Sequence, residues 1–300
     1  MILMMLLGRN LKHVHTGTES YGRDIVRIKK SGIAYDLIIK DELIILDSSF
    51  EDHSYYTKEL LHKLTQQYSR EYKRPCIFNT MNQKISDDKS IFYKNFCWQL
   101  YEKIIPPTYD KYKYHFTYLC GYPRKDKLHV LSSLFVHDLL KGNLWSCGSI
   151  KSNHNLKLPD LPKIIDYDKS IKIISKAWAE IDEDFYKYSR FSLVQETEMS
   201  NRSNRYTEKT YKCFWMKHPF IMAGNYQALK LLKQDGFKTF RPYIDESYDE
   251  IQDRDERISA IIKEVKTLCN KTKKEWKEFM INVNKILKHN YQHAASRKNN

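Results

Sequence analysis

Runs of consecutive apolar residues alternate along this chain with stretches whose apolar positions recur every three or four residues. That is the pattern of buried strands alternating with amphipathic helices. Met1 to Leu7 is such a run, closed by Gly8 and Arg9, and predicts a first buried strand. Leu43 to Leu46 predicts a second, ending at Asp47, Ser48 and Ser49. Tyr56 to Tyr68 carries Leu60, Leu61 and Leu64 at helical spacing, and Cys76 to Phe78 reads as another short strand. Strand, helix and strand joined by short loops imply a parallel βαβ unit. The aromatic stretch from Phe92 to Ile105 is predicted helical until Pro106 and Pro107 stop it, and that pair marks the first domain boundary.

Beyond the prolines the pattern restarts. Phe116 to Cys120 predicts a strand, Gly121 to Arg124 a loop, Leu128 to Leu140 a helix and Leu144 to Cys147 the next strand. A loop with Pro159 and Pro162 precedes a helix near Ile171 to Ile181. Phe191 to Val194 is the following strand, a helix opens at about Thr207, and Pro219 to Ala223 is a strand before a helix over Tyr226 to Gln234. Gly236 stands where a helix C-cap glycine belongs. Asp253 and Glu256 have capping-box spacing at the head of a long helix whose stripe is Ile258, Ile261, Ile262, Val265 and Leu268. A second stripe runs through Trp276, Phe279, Met280, Val283, Ile286 and Leu287, so both helices dock while their lysine faces stay wet.

Composition narrows the function. With 41% hydrophobic and 29% charged residues the chain is neither disordered nor a membrane protein. A net charge of +14 favours an anionic partner: nucleic acid, a phosphorylated small molecule or an anionic surface. The apolar N-terminal run is too short to span a membrane and lacks the flanks of a secretion signal, which predicts a cytosolic protein. Cys76, Cys97, Cys120, Cys147, Cys213 and Cys269 form no C-x-x-C pair and read as reduced, mostly buried thiols. There is no P-loop, G-x-G-x-x-G, H-E-x-x-H or G-x-S-x-G, which withdraws support from the enzyme classes those signatures mark.

Candidate chemistry gathers at strand ends. The Phe191 strand runs toward Glu196, and the helix after it opens with Thr207, Glu208 and Lys209. Ligands of open parallel sheets bind beyond the carboxyl ends of strands and at helix N-termini. Carboxylates there suit ribose hydroxyls, and a lysine with helix amides suits a diphosphate. The structural alternative is that Glu208 only stabilises the helix start and Lys209 is surface. Arg124, Lys125 and Lys127, between a strand and a helix, suggest a phosphate site, with the Arg124 fork the choice for two oxygens. The alternative is an exposed basic loop. Asp47, at a strand end, is the candidate general base, with Asp52, His53, His13 and His15 as further candidates and loop capping as its plainer role. Asp245, Glu246, Asp249 and Glu250 read as a solvated acidic turn, and no metal is assigned.

A strand, Glu196, a short polar insertion, Tyr206 to Thr210, a helix, and Pro219 leading to Gly224 resemble, in that order, the donor site of GT-B glycosyltransferases, especially α1,3-fucosyltransferases. The segment is also similar to a group of phage-encoded proteins with the same Thr-Glu-Lys-Thr run and a downstream counterpart of Gly236 to Phe240. The resemblance covers roughly residues 116–262. It implies that Glu196 and Glu208 hold donor hydroxyls and Lys209 the diphosphate. Thr197 stands where fucosyltransferases carry Asn, and Cys213 where the phage group more often has Pro, so the sugar and base stay open.

The expected fold is α/β: two Rossmann-like domains facing a cleft, residues 1–108 and 109–265, with a basic helical segment 266–300 packing across them. The expected function is transfer of a sugar from a nucleotide-sugar donor to a hydroxyl acceptor, with no metal or other cofactor required. Phage GT-B enzymes include those acting on hydroxymethylated cytosine, which makes modified double-stranded DNA the expected acceptor, in a host cytoplasm if the chain is phage-encoded. The alternatives are a glycan- or lipid-directed glycosyltransferase and a non-catalytic nucleic-acid-binding protein.

Overall fold

The computed structural model describes residues 15–17, 25–30, 33–40, 42–48, 57–87, 89–95, 112–120, 124–147, 181 and 183–297. The chain divides into two compact units, Met1–Phe96 with Arg202–Arg205, and Cys97–Asn201 with Tyr206–Asn300. Both are α/β.

The first unit is built on a six-stranded sheet in sequential order. Its strands are β1 (His15–Gly17), β2 (Ile25–Lys30), β3 (Ile33–Ile39), β4 (Ile44–Ser48), β5 (Cys76–Thr80) and β6 (Ile91–Tyr93). β1 to β4 pair antiparallel, and β4, β5 and β6 pair parallel. The antiparallel half is absent from the sequence reading, and the sheet is mixed. Helix α1 (Lys58–Tyr72) connects the parallel β4 and β5 and starts at Thr57, whose side chain accepts from the Leu60 amide. Ile33, Tyr35 and Leu37 alternate onto one face with Leu46 and Phe78, and α1 lays Leu61, Leu64 and Tyr68 against them. The Tyr35 and Tyr68 hydroxyls meet at 2.8 Å inside this core. Ile91 to Tyr93 is a strand, not the start of a helix, because it pairs with Phe78 to Thr80. Residues 96–105 of that predicted helix, the proline pair, the Met1 to Leu7 strand and most of the Ile171 to Ile181 helix lie outside the described residues.

The second unit holds a four-stranded, wholly parallel sheet in the order β10-β9-β7-β8. Its strands are β7 (Tyr114–Cys120), β8 (Leu144–Cys147), β9 (Ser189–Gln195) and β10 (Phe220–Ala223). The helices are α2 (Lys125–Val136), α3 (Glu183–Lys187), α4 (Glu208–Trp215), α5 (Ala228–Gln234), α6 (Arg254–Cys269) and α7 (Lys273–Arg297). Such strands are buried on both faces, which is why they read as continuous apolar runs. From β7 the chain passes through α2 to β8 on one side, then returns to build β9 and β10 on the other. The order therefore reverses between β7 and β9, and in open parallel sheets ligands sit at the carboxyl ends flanking that point.

Asp253 caps α6, accepting from the Asp255 and Glu256 amides, and the predicted isoleucine stripe is buried. α7 belongs to the second unit and packs on α4. It also grips the turn after α5: Asn290 exchanges two 2.8 Å bonds with the Lys238 backbone, and the His289 ring bonds the Gly236 carbonyl at 2.9 Å. Gly236 is left-handed at φ +88°, as a C-cap glycine requires. Among the described residues, no helix is long and apolar enough to cross a membrane.

Candidate functional site

At the carboxyl edge of the parallel sheet, Glu196 continues β9, its amide donating to the Ala223 carbonyl at 2.9 Å. Its side chain is 1% exposed. Oε1 accepts from the Thr207 amide at 3.0 Å and from Thr210 Oγ1 at 2.6 Å, and Oε2 accepts from Thr207 Oγ1 at 2.6 Å. Thr207 is the N-cap of α4 yet makes no side-chain cap of its own, because its hydroxyl is donated to Glu196. Glu196 therefore anchors the start of α4 from the strand beside it. That differs from the expectation that Glu196 holds donor hydroxyls: three charge-assisted bonds already engage its two oxygens.

Lys209 reaches back over the same turn, donating to Glu208 Oε1 at 2.7 Å and Thr207 Oγ1 at 3.1 Å. Burial raises the Glu208 carboxyl, but the charge and hydrogen bond of Lys209 outweigh it and hold the group below its ordinary range. Both side chains keep some exposure, 14% for Glu208 and 28% for Lys209. On α4, this pair is the part of the predicted site that keeps contact with solvent.

The neighbouring element is α2. Arg124 is its N-cap and is exposed, as is Lys125, whereas Lys127 in the same turn is 5% exposed. No hydrogen bond or ion pair of the Lys127 ammonium is found among the described residues. Burial lowers its pKa, the positive charge of Lys209 lowers it further, Arg124 adds to this, and Cys120 and Glu196 act in the opposite sense. Arg124, Lys127 and Lys209 thus share one electrostatic neighbourhood with the ends of β7 and β9. The basic motif is visible in the sequence, where the planar fork favours Arg124, whereas burial singles out Lys127. The missed signal is periodicity, since 127, 131 and 134 lie on one helical face and the other two are buried leucines.

Cys120 and Cys147 end β7 and β8 in direct register. A hydrogen bond from Cys147 lowers the Cys120 thiol, burial opposes it, and the Lys127 charge favours the thiolate. The segment from β9 to α4 is tied down as it crosses this edge. Asp126 accepts from the Met199 amide at 3.0 Å and from Arg254 at 3.0 Å, and Asn225 donates to the Ser200 carbonyl at 2.8 Å. The buried Arg257 guanidinium donates to the carbonyls of Met199, Ile251 and Gln252.

Asp47 lies in the first unit at the end of β4, 7% exposed. Its Oδ2 accepts from Lys94 Nζ at 2.7 Å and from Asn79 Nδ2 at 3.3 Å. Both contacts fall on the same carboxylate oxygen. The alternatives Asp52, His53 and His13 lie outside the described residues, and of His15 only the backbone is described, in β1.

The acidic run 245–250 is only in part the solvated turn expected: Asp245 and Glu250 are exposed, but Glu246 and Asp249 are not. Glu246 is buried and accepts from Thr239 Oγ1 and the Phe240 amide, both at 2.6 Å. Asp249 is buried and accepts from the Leu229 and Lys230 amides at 2.9 and 3.1 Å. These carboxylates cap backbone. Among the described residues, no group of three or more His, Cys, Asp or Glu side chains is placed to hold a metal ion. No protein-family profile matches the chain, and neither a curated protein nor a solved structure matches it.

Proposed function

We propose that the protein is a glycosyltransferase of GT-B type that moves a sugar from a nucleotide-sugar donor to a hydroxyl acceptor. The observation that supports this most is the grouping of Arg124, Lys127 and Lys209 at the switch point of a parallel sheet, with Glu208 beside them and no P-loop in the sequence. In this reading the donor diphosphate lies against Lys209 and Arg124, and Glu208 accepts from donor hydroxyls. Glu196 holds the start of α4 in place. The proposed base is Asp47.

The proposed acceptor is hydroxymethylated cytosine in duplex DNA, in a cytoplasmic setting. The wet face of α7 supports it: Lys274, Lys277, Lys285 and Lys288 are exposed there, and lysines so arrayed bind phosphate backbones. A base within a duplex is reached by flipping it out.

A thermal-shift screen against UDP-, GDP- and CMP-sugars tests the donor half. Donor at one hundred times its Kd adds about 2.7 kcal/mol of stability. Lys209→Ala and Arg124→Ala each weaken that donor by roughly 1.5–3 kcal/mol, the scale of a charged hydrogen bond. If no nucleotide sugar shifts the melting point while duplex DNA does, the glycosyltransferase reading falls and a non-catalytic nucleic-acid-binding protein replaces it.

A further inference from the structure

We infer that Lys127 is the specificity-determining cation of the switch-point site, a direct ligand of phosphoryl oxygens that selects a diphosphate over a singly phosphorylated group. The inference rests on the anion-binding reading of that edge given above.

Lysine is among the residues least often buried without a partner. Here it occupies the face of α2 that carries Leu131 and Leu134, 5% exposed, in a position a leucine could fill. Several elements around it bring a charged or titratable group. Lys209 comes from α4, Arg124 from the head of α2, Cys120 from β7, Cys147 from β8 and Glu196 from the end of β9. The Tyr118 hydroxyl is spent on the Lys127 carbonyl at 3.0 Å. Glu196 is the carboxylate of that set, and Thr207 and Thr210 already occupy its oxygens. Glu208 is held by Lys209 at 2.7 Å. The ammonium of this buried residue thus sits beside two further cations, and among the described residues no anion is committed to it.

An unpaired buried charge destabilises a fold unless something enters to compensate it. The start of α4 adds backbone N–H groups that lack intrahelical acceptors and favour the same sign of ligand. Several cations and a helix start suit a ligand with many oxygens and more than one negative charge. Arg124 is exposed and Lys209 already paired, so solvent and Glu208 dilute their contributions. Lys127 is desolvated, so its attraction to the ligand is screened least.

The test titrates inorganic pyrophosphate and inorganic phosphate, by calorimetry and thermal shift, into wild type, Lys127→Met and Lys141→Met, the last an exposed lysine before β8, at the opposite edge of the sheet. Lys127→Met without ligand should melt at or above the wild-type temperature, because it removes an unpaired buried charge. It should bind pyrophosphate roughly 10- to 100-fold more weakly, and the preference for pyrophosphate over phosphate should collapse. Lys141→Met should change neither. Wild-type pyrophosphate affinity in Lys127→Met overturns the inference, as does a lowered melting point without loss of affinity.

If Lys127→Met fails to fold, the wild type decides, with sulfate as a probe of constant charge. Burial lowers the Lys127 pKa, so sulfate binding should weaken at a lower pH than the titration of exposed lysines would give, and Lys127→Arg should remove that early loss. A flat wild-type profile overturns the inference. Lys127-dependent pyrophosphate binding in a protein that ignores every nucleotide sugar leaves the inference standing and the glycosyltransferase reading fallen. Equal nucleotide-sugar binding by wild type and Lys127→Met does the reverse.

Discussion

Acidification should expose a single buried histidine. His218 follows α4 and is 1% exposed. Its Nε2–H donates to the Ser189 carbonyl at 2.9 Å, and its Nδ1 accepts from Ser192 Oγ at 3.0 Å. Burial holds its pKa down at about 4, against an ordinary 6.5, and the backbone bonds at Ser189 and Tyr186 only partly oppose this. The sign follows from which state protonates first. The unfolded chain takes up a proton below about 6.5 and the folded one only below about 4, so stability falls across that window and levels off beneath it. The full difference, about 2.5 pKa units at 1.36 kcal/mol each, is roughly 3 kcal/mol, of which about 2.5 kcal/mol is lost by pH 4.5. Urea unfolding at pH 7.5 and 4.5 measures the total, and the same pair of curves for His218→Gln removes every other group's share. Wild type should lose about 2.5 kcal/mol more than the variant. Equal losses would refute the assignment of a neutral, trapped imidazole.

Three further outcomes follow from the geometry. Gly236→Ala puts a Cβ 2.7 Å from His293 Nε2 on a backbone at φ +88°, so it should destabilise by about 2–3 kcal/mol, read as a lowered urea midpoint. Adding His293→Ala should recover part of the loss by removing the clash but not the strain. Glu196→Ala orphans the Thr207 amide and two threonine hydroxyls, so it should cost roughly 3 kcal/mol or more and raise amide exchange in α4, while Glu208→Ala should leave stability within about 1 kcal/mol. Asp47→Asn should lower turnover about 100-fold with donor affinity intact if Asp47 is the base, and unchanged turnover removes it from that role.

The parallel sheet was legible because strands buried on both faces leave unbroken apolar runs, as at Phe116 to Cys120 and Phe191 to Val194. The β2–β3 pair was not. Its sequence, Ile25 to Lys30, Ser31, Gly32, then Ile33 to Ile39, contains a hairpin signal, but Lys29 and Lys30 break the apolar run that guided the reading. Ile91 to Tyr93 was misjudged because aromatic residues suit strands and helices alike, and pairing with β5 decides between them. At the site, the order of Glu196, Thr207, Glu208 and Lys209 was legible, but the use of Glu196 was not. Which partner a carboxylate takes depends on the distance between a strand end and the following helix, and no spacing in the sequence encodes that. Lys127 is not legible because lysine is seldom buried, and only the packing of α2 places it inside.

The central claim is a sugar transfer, and mass spectrometry of digested nucleosides measures it directly. Incubated with hydroxymethylcytosine duplex DNA and the nucleotide sugar that raises its melting point, the protein should add one sugar mass per modified base and leave unmodified DNA unchanged. Hydrolysis of the nucleotide sugar with no mass gain on the modified base would contradict the DNA acceptor and favour a glycan or lipid. No mass gain and no hydrolysis with any donor would contradict the glycosyltransferase account itself.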